Sequence, residues 1–78
     1  MKNLLIELKD FADIIDFVRI SSVFPYPIEL AQDKCVVDAK SSLGIFVLKV
    51  SEPIKVIAYD EHPENYFASI EKYAIPQH

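Results

Sequence analysis

The chain has 78 residues, 51% of them hydrophobic, 12% aromatic and 26% charged, with a formal net charge of −4. That length predicts one domain over residues 1–78 around one small core, with little apolar surface left to line a deep ligand pocket. The hydrophobic share excludes a disordered chain. The eight basic residues stand singly among twelve acidic ones, a pattern that argues against both nucleic acid and an anionic membrane as partners.

Cys35 is the only cysteine, which rules out an intramolecular disulfide and fits a reducing cytoplasm. It is read as a small buried hydrophobe. Met1 and Lys2 lead into a short apolar stretch that Glu7 and Lys9 interrupt, so no signal peptide is expected. No apolar run approaches the ~20 residues that cross a bilayer. A soluble, cytoplasmic protein is expected.

In chain order, Asn3 to Leu8 is short, apolar and bounded by charge, as an N-terminal strand would be. Asp10 or Asp13 can cap a helix, because a carboxylate accepts from the free N–H groups and suits the positive helix end. Beyond it Phe11, Ile14, Phe17, Val18 and Ser21 share one helical face, with Asp13, Asp16 and Arg19 opposite. Ile15 and Ile20 lie at the flanks, as core edge or as contact surface. Proline disfavours helical geometry in the residue before it, so Pro25-Tyr26-Pro27 ends the helix.

Ile28 to Ala31 and Lys34 to Ala39 read as two strands joined across Gln32-Asp33. Ser41-Ser42-Leu43-Gly44 offers a hydroxyl cap and then an apolar stretch. Its β-branched content leaves helix and strand both open on pattern alone. Ser51-Glu52-Pro53 breaks that stretch, and Ile54 to Tyr59 reads as a strand. Asp60 to Glu64 forms a turn and a helix start with Pro63 in the first turn. Phe67, Ile70, Tyr73 and Ala74 supply the last apolar stripe. The order β-α-β-β-α-β-α argues for helices packed on one face of an antiparallel sheet.

From Cys35 to Leu48 the residues resemble HPr, the phosphocarrier protein of the bacterial sugar phosphotransferase system. That family has a strand here, then a Lys-Ser-x-x-Gly turn opening a short helix; Lys40, Ser41 and Gly44 match the motif. Upstream, Ser22-Val23-Phe24 and Ile28-Glu29-Leu30 look like the end of the family's first helix and its second strand. Downstream, Ile54 and Pro63 fall where its last strand and last helix begin. The resemblance covers roughly residues 12–74. It implies an α+β open-faced sandwich, a four-stranded antiparallel sheet covered on one face by three helices, and makes Ser42 to Val50 helical.

The same resemblance exposes a departure. HPr carries phosphate on a histidine in a Gly-x-His-Ala-Arg-Pro segment at the start of its first helix. Counting back without a gap sets Asp10, Phe11, Ala12 and Asp13 at His-Ala-Arg-Pro. The only histidines are His62 and His78, and neither falls in that segment. A degenerate member without the phosphohistidine is therefore implied. An acyl phosphate on Asp10 or Asp13 is the unconventional alternative, but it ordinarily needs a divalent cation and converging carboxylates; capping and surface charge account for both.

Ser41 matches a serine that many family members from Gram-positive bacteria carry as a regulatory phosphorylation site, and a phosphate there would suit a helix start. Its alternative role is as a hydroxyl cap worth ~1 kcal/mol. The family meets protein partners through its first two helices on a basic face. The matching positions here are Ala12, Asp16, Arg19 and Ser22, so only Arg19 keeps the sign and the usual donor enzyme is expected to bind poorly. Ile15, Arg19, Leu43 and Phe46 are the expected partner-binding residues, with half-buried core edge as the competing reading. His62 beside Asp60 and Glu61 has no second histidine or cysteine at ligand spacing, so it reads as a solvated turn. No metal, cofactor or enzymatic activity is expected. A contact or regulatory module follows, binding another protein or a second copy of the chain; a true phosphocarrier or an architectural look-alike are the alternatives.

Overall fold

The computed structural model describes residues 2–76. Its elements are β1 (Lys2–Ile6), α1 (Phe11–Val23), β2 (Ile28–Gln32), β3 (Cys35–Asp38), α2 (Ser42–Ile45), β4 (Ile54–Ala58) and α3 (Glu64–Ser69), followed by a 3₁₀ turn at Glu71–Tyr73. The strands form one sheet in the order β1-β4-β2-β3, every neighbouring pair antiparallel. The crossover through α1 leaves β1 and β2 one strand apart, and β4 fills the gap between them. This is the α+β arrangement that the resemblance implies, with three helices on one face of the sheet.

Alternation along the strands decides which face is covered. Ile28 and Leu30 on β2, and Ile54, Val56 and Ala58 on β4, turn to the helices and are buried. Ile14 and Phe17 from α1, Ile45 from α2, and Tyr66, Ile70 and Tyr73 from the C-terminal segment complete that core. The other face stays open and carries Leu5, Val36 and Lys55.

Several boundaries move, each for a local reason. β1 ends at Ile6 rather than Leu8, because β4 begins only at Ile54, after Pro53, and Ile6–Ile54 is their last pair; the C-terminal segment takes over the outer edge of β1. There the Glu7 N–H donates to the Tyr73 carbonyl and the Ile75 N–H to the Leu5 carbonyl, both at 2.9 Å. The hairpin turns at Asp33-Lys34, one residue later than expected, with Asp33 at φ 53°, a conformation that aspartate tolerates better than most side chains. Pro63 caps α3 from outside, its carbonyl accepting from the Phe67 N–H at 2.9 Å. The last apolar stripe is split between α3 and the 3₁₀ turn. Its largest buried member, Tyr66, was not among the residues expected there.

Cys35 corrects an expectation outright: the thiol is exposed. It lies on the edge strand β3, which only β2 flanks, so apolar character does not bring burial. The stretch from Ser42 to Val50 is no strand, yet only its first turn is helical. Thereafter Gln32 holds the chain. Its buried amide donates to the Lys49 carbonyl at 2.9 Å and accepts from the Lys49 N–H at 2.6 Å, doing for that loop what helical bonds would otherwise do. Among the described residues no buried side-chain nitrogen or oxygen lacks a hydrogen-bond partner. No helix among them is long and apolar enough to cross a membrane.

Candidate functional site

The start of α1 is built by two aspartates. Asp10 is the N-cap, its Oδ1 accepting from the Asp13 N–H at 3.0 Å, and the Asp13 carboxylate accepts in turn from the Lys9 N–H at 3.0 Å. This reciprocal cap satisfies free donors at a helix start and sets negative charge against the positive end of the dipole. An approaching phosphate would meet two carboxylates, with the cap already occupying one of the N–H groups that could receive it.

Phe11 departs from its expected place on the core face. It is 59% exposed, the first helical residue, a turn before Ile14, where burial along α1 begins. Its ring stacks on that of Phe46, with centroids 5.7 Å apart and planes 11° apart. Phe46 itself is 51% exposed, and Leu43 is 81% exposed. Both are too open for core edge. Val47, which the sequence reading did not single out, is also exposed; it lies just past the helical turn, where periodicity gives no signal. Ile15, half-buried, and Arg19, exposed, follow Phe11 at successive intervals of four on α1, hence along one face. Ala12 and Ser22 are exposed on that helix too.

Ser41 is the N-cap of α2, half-buried, with Oγ accepting from the Gly44 N–H at 3.2 Å. Lys40 reaches across to α1, Nζ donating to the Phe24 carbonyl at 2.6 Å, where a positive charge suits the helix's C-terminal end. Two motif residues thus have structural tasks: Lys40 ties α2's approach to the end of α1, and Ser41 starts α2.

Asp16 does not join the exposed surface freely. Its carboxylate accepts from the Tyr73 hydroxyl at 2.5 Å and pairs with Lys72 Nζ at 2.7 Å. These bonds, that of Lys72 foremost, hold its carboxyl below the usual carboxylate range. Burial first, and the Asp16 bond second, push the Tyr73 hydroxyl up.

His62 stands elsewhere. It precedes α3, its N–H donating to Asp60 Oδ2 at 3.1 Å and its Nδ1 3.9 Å from Glu64. α3 packs on the far half of α1, where Ser21 Oγ and Tyr66 Oη share a buried hydrogen bond of 2.7 Å. Ser21 is ~16 Å of helix away from Asp10. His78 lies outside the described residues. Among those residues no three His, Cys, Asp or Glu side chains converge as a metal site.

No family model matches the chain, and no curated protein matches it. Among solved structures it is similar to an HPr protein from Thermoanaerobacter tengcongensis. The two are 29% identical and superpose with a TM-score of 0.79, over 92% of this chain and 89% of the other. Strand order, antiparallel register and that superposition agree: the chain has an HPr-like fold.

Proposed function

We propose that the chain is a non-catalytic contact module on the HPr-like fold, a degenerate relative of the phosphotransferase carriers that binds protein through α1 and α2 and transfers no phosphate through histidine. The observation that carries this reading is the exposed apolar surface of Phe11, Leu43, Phe46 and Val47 beside an acidic, self-capped helix start. Apolar surface gathered at one place and rimmed by polar groups is what a protein partner buries. The capped start of α1 offers two carboxylates and no imidazole. Ile15 and Arg19 extend the surface along α1, Arg19 fixing the orientation of the partner. A regulatory phosphate on Ser41 would replace the hydroxyl that caps α2 and so act within the same surface. Such a module works in the cytoplasm, where an exposed unpaired Cys35 stays reduced.

Incubation with labelled phosphoenolpyruvate, the donor enzyme and a true HPr protein tests the absence of phosphotransfer. Label is expected on the HPr control and not on this chain. A label on this chain that survives base and is lost in acid would overturn the reading. A hydroxylamine-sensitive label lost from Asp10→Asn would instead establish an acyl-phosphate carrier.

A further inference from the structure

The two edges of the sheet differ. The outer edge of β1 is occupied, since residues 73–75 bond to it through Glu7 and Leu5. The outer edge of β3 is open at Val36; at its end Asp38 is engaged locally, its carbonyl accepting from the Ser41 N–H at 3.2 Å and its Oδ1 from the Lys40 N–H at 2.8 Å. In the two-residue hairpin the closing pair Gln32–Cys35 exchanges hydrogen bonds, so Leu30–Val37 is the next bonded pair and the N–H and C=O of Val36 point outward. The Ala39 N–H donates to the Ile28 carbonyl at 3.0 Å, which continues that alternation. Val36 is 57% exposed. An open hollow of about 430 Å³ lies at the Asp38 end of the β2–β3 pair, beside Pro27, Glu29, Val36, Asp38 and Lys40.

An unpaired strand edge is a template for another strand, and this edge carries its own complement. Val36 and Asp38 alternate along it, and Lys34, in the turn, precedes its first residue. In an antiparallel pairing about a two-fold axis through Val36, each Val36 meets its copy, and each Lys34 stands opposite Asp38 of the second copy. Shifting the register sets Val36 against Lys34 in one direction and against Asp38 in the other, so the centred register alone matches apolar with apolar and opposite charges with each other. The geometry points to a homodimer in which two copies join through β3 into one continuous eight-stranded sheet, with Val36 at the axis and two symmetric Lys34–Asp38 pairs closing it. The strand is short, so the contact is weak and concentration-dependent. It is independent of the α1–α2 surface.

Sedimentation equilibrium of the full chain from about 1 μM to about 1 mM covers weak self-association. The native chain is expected to pass from monomer to dimer over that range. Lys34→Glu sets like charges opposite each other twice and weakens the dimer roughly tenfold, and Asp38→Lys does the same with the opposite sign. Mixing these two variants restores both pairs, so heterodimer should form at about the native affinity. Val36→Pro removes only a donor that faces away from β2, a position where an edge strand tolerates proline. It should leave the monomer folded by circular dichroism and abolish the dimer, and it decides the matter even if Asp38→Lys disturbs the Asp38 bond to the Lys40 N–H. A native chain that stays monomeric throughout would overturn the proposal. So would a dimer that survives Val36→Pro, and one that Leu43→Asp alone abolishes would place self-association on the helices.

Discussion

α1 carries an aromatic contact at each end, and the two look alike until their burial is compared. Near its start Phe11 stacks on Phe46 at 5.7 Å; just past its end Phe24 meets Tyr66 edge-on at 5.1 Å. The first pair is more than half exposed, whereas Tyr66 is fully buried. Tyr66 also packs against Tyr26 and Phe67 and shares its hydroxyl with Ser21. Ring geometry therefore does not tell core from surface. The end against α3 holds the fold together; the end against α2 is free to hold something else.

The sharpest way to break that comparison is to truncate one ring at each end. Tyr66→Ala should cost ~3–5 kcal/mol, since it removes a large buried ring and leaves a cavity. A chain of this length has only ~4–12 kcal/mol in total, so urea denaturation should find it barely folded. Phe46→Ala removes a half-exposed ring and should cost no more than ~1.5 kcal/mol, and Leu43→Asp about 0.5 kcal/mol or less. Equal losses at the two ends would show that the α2 end is core after all and would remove the basis for a contact surface.

A finer cut separates the ring of Tyr66 from its hydroxyl. Burial pushes that hydroxyl's pKa up to about 12, against the bond to Ser21, which lowers it. Ser21→Ala leaves the hydroxyl buried without that partner and should cost ~1–3 kcal/mol. Adding Tyr66→Phe removes the orphaned group and should recover part of the loss. If the two changes simply add, the bond contributes nothing beyond packing.

These two ends were not equally legible. Ile14, Phe17 and Ser21 follow helical periodicity and face the core as it predicts. So does the order of strands and helices, because strand alternation and proline breaks are local signals. Tyr66 was missed because α3 is short and its stripe continues into a 3₁₀ turn, where a spacing of 3.6 no longer applies. Phe11 was misplaced because periodicity gives an angle around the helix axis and not a position along it, and burial on α1 begins only at Ile14. Cys35 was misplaced because edge position depends on strand order, which no local pattern encodes. Of the expected surface, Leu43 and Phe46 were readable from the family resemblance; the stack that joins Phe46 to α1 required the fold.

The smallest effect lies between the two ends, where Asp16 ties the middle of α1 to the C-terminal turn. Bonds from Lys72 and Tyr73 hold its carboxyl below its ordinary value of 3.8. In the unfolded chain those bonds are gone, so on acidification the unfolded state takes up the proton first. The stabilisation is fully present above the ordinary value and is lost as pH falls through the lower folded one. Asp16→Asn should therefore lower the melting temperature slightly at neutral pH and converge with the native chain once the pH has fallen below the lowered folded value. Other carboxylates titrate in both proteins, and the difference between the two curves cancels them. Lys72→Met should reduce that difference more than Tyr73→Phe does, because the lysine bond is the larger cause. Added salt should shrink it as well, since Lys72 is largely exposed. A difference that persists unchanged down to pH 2 would mean that Asp16 contributes through packing and that its charge is incidental.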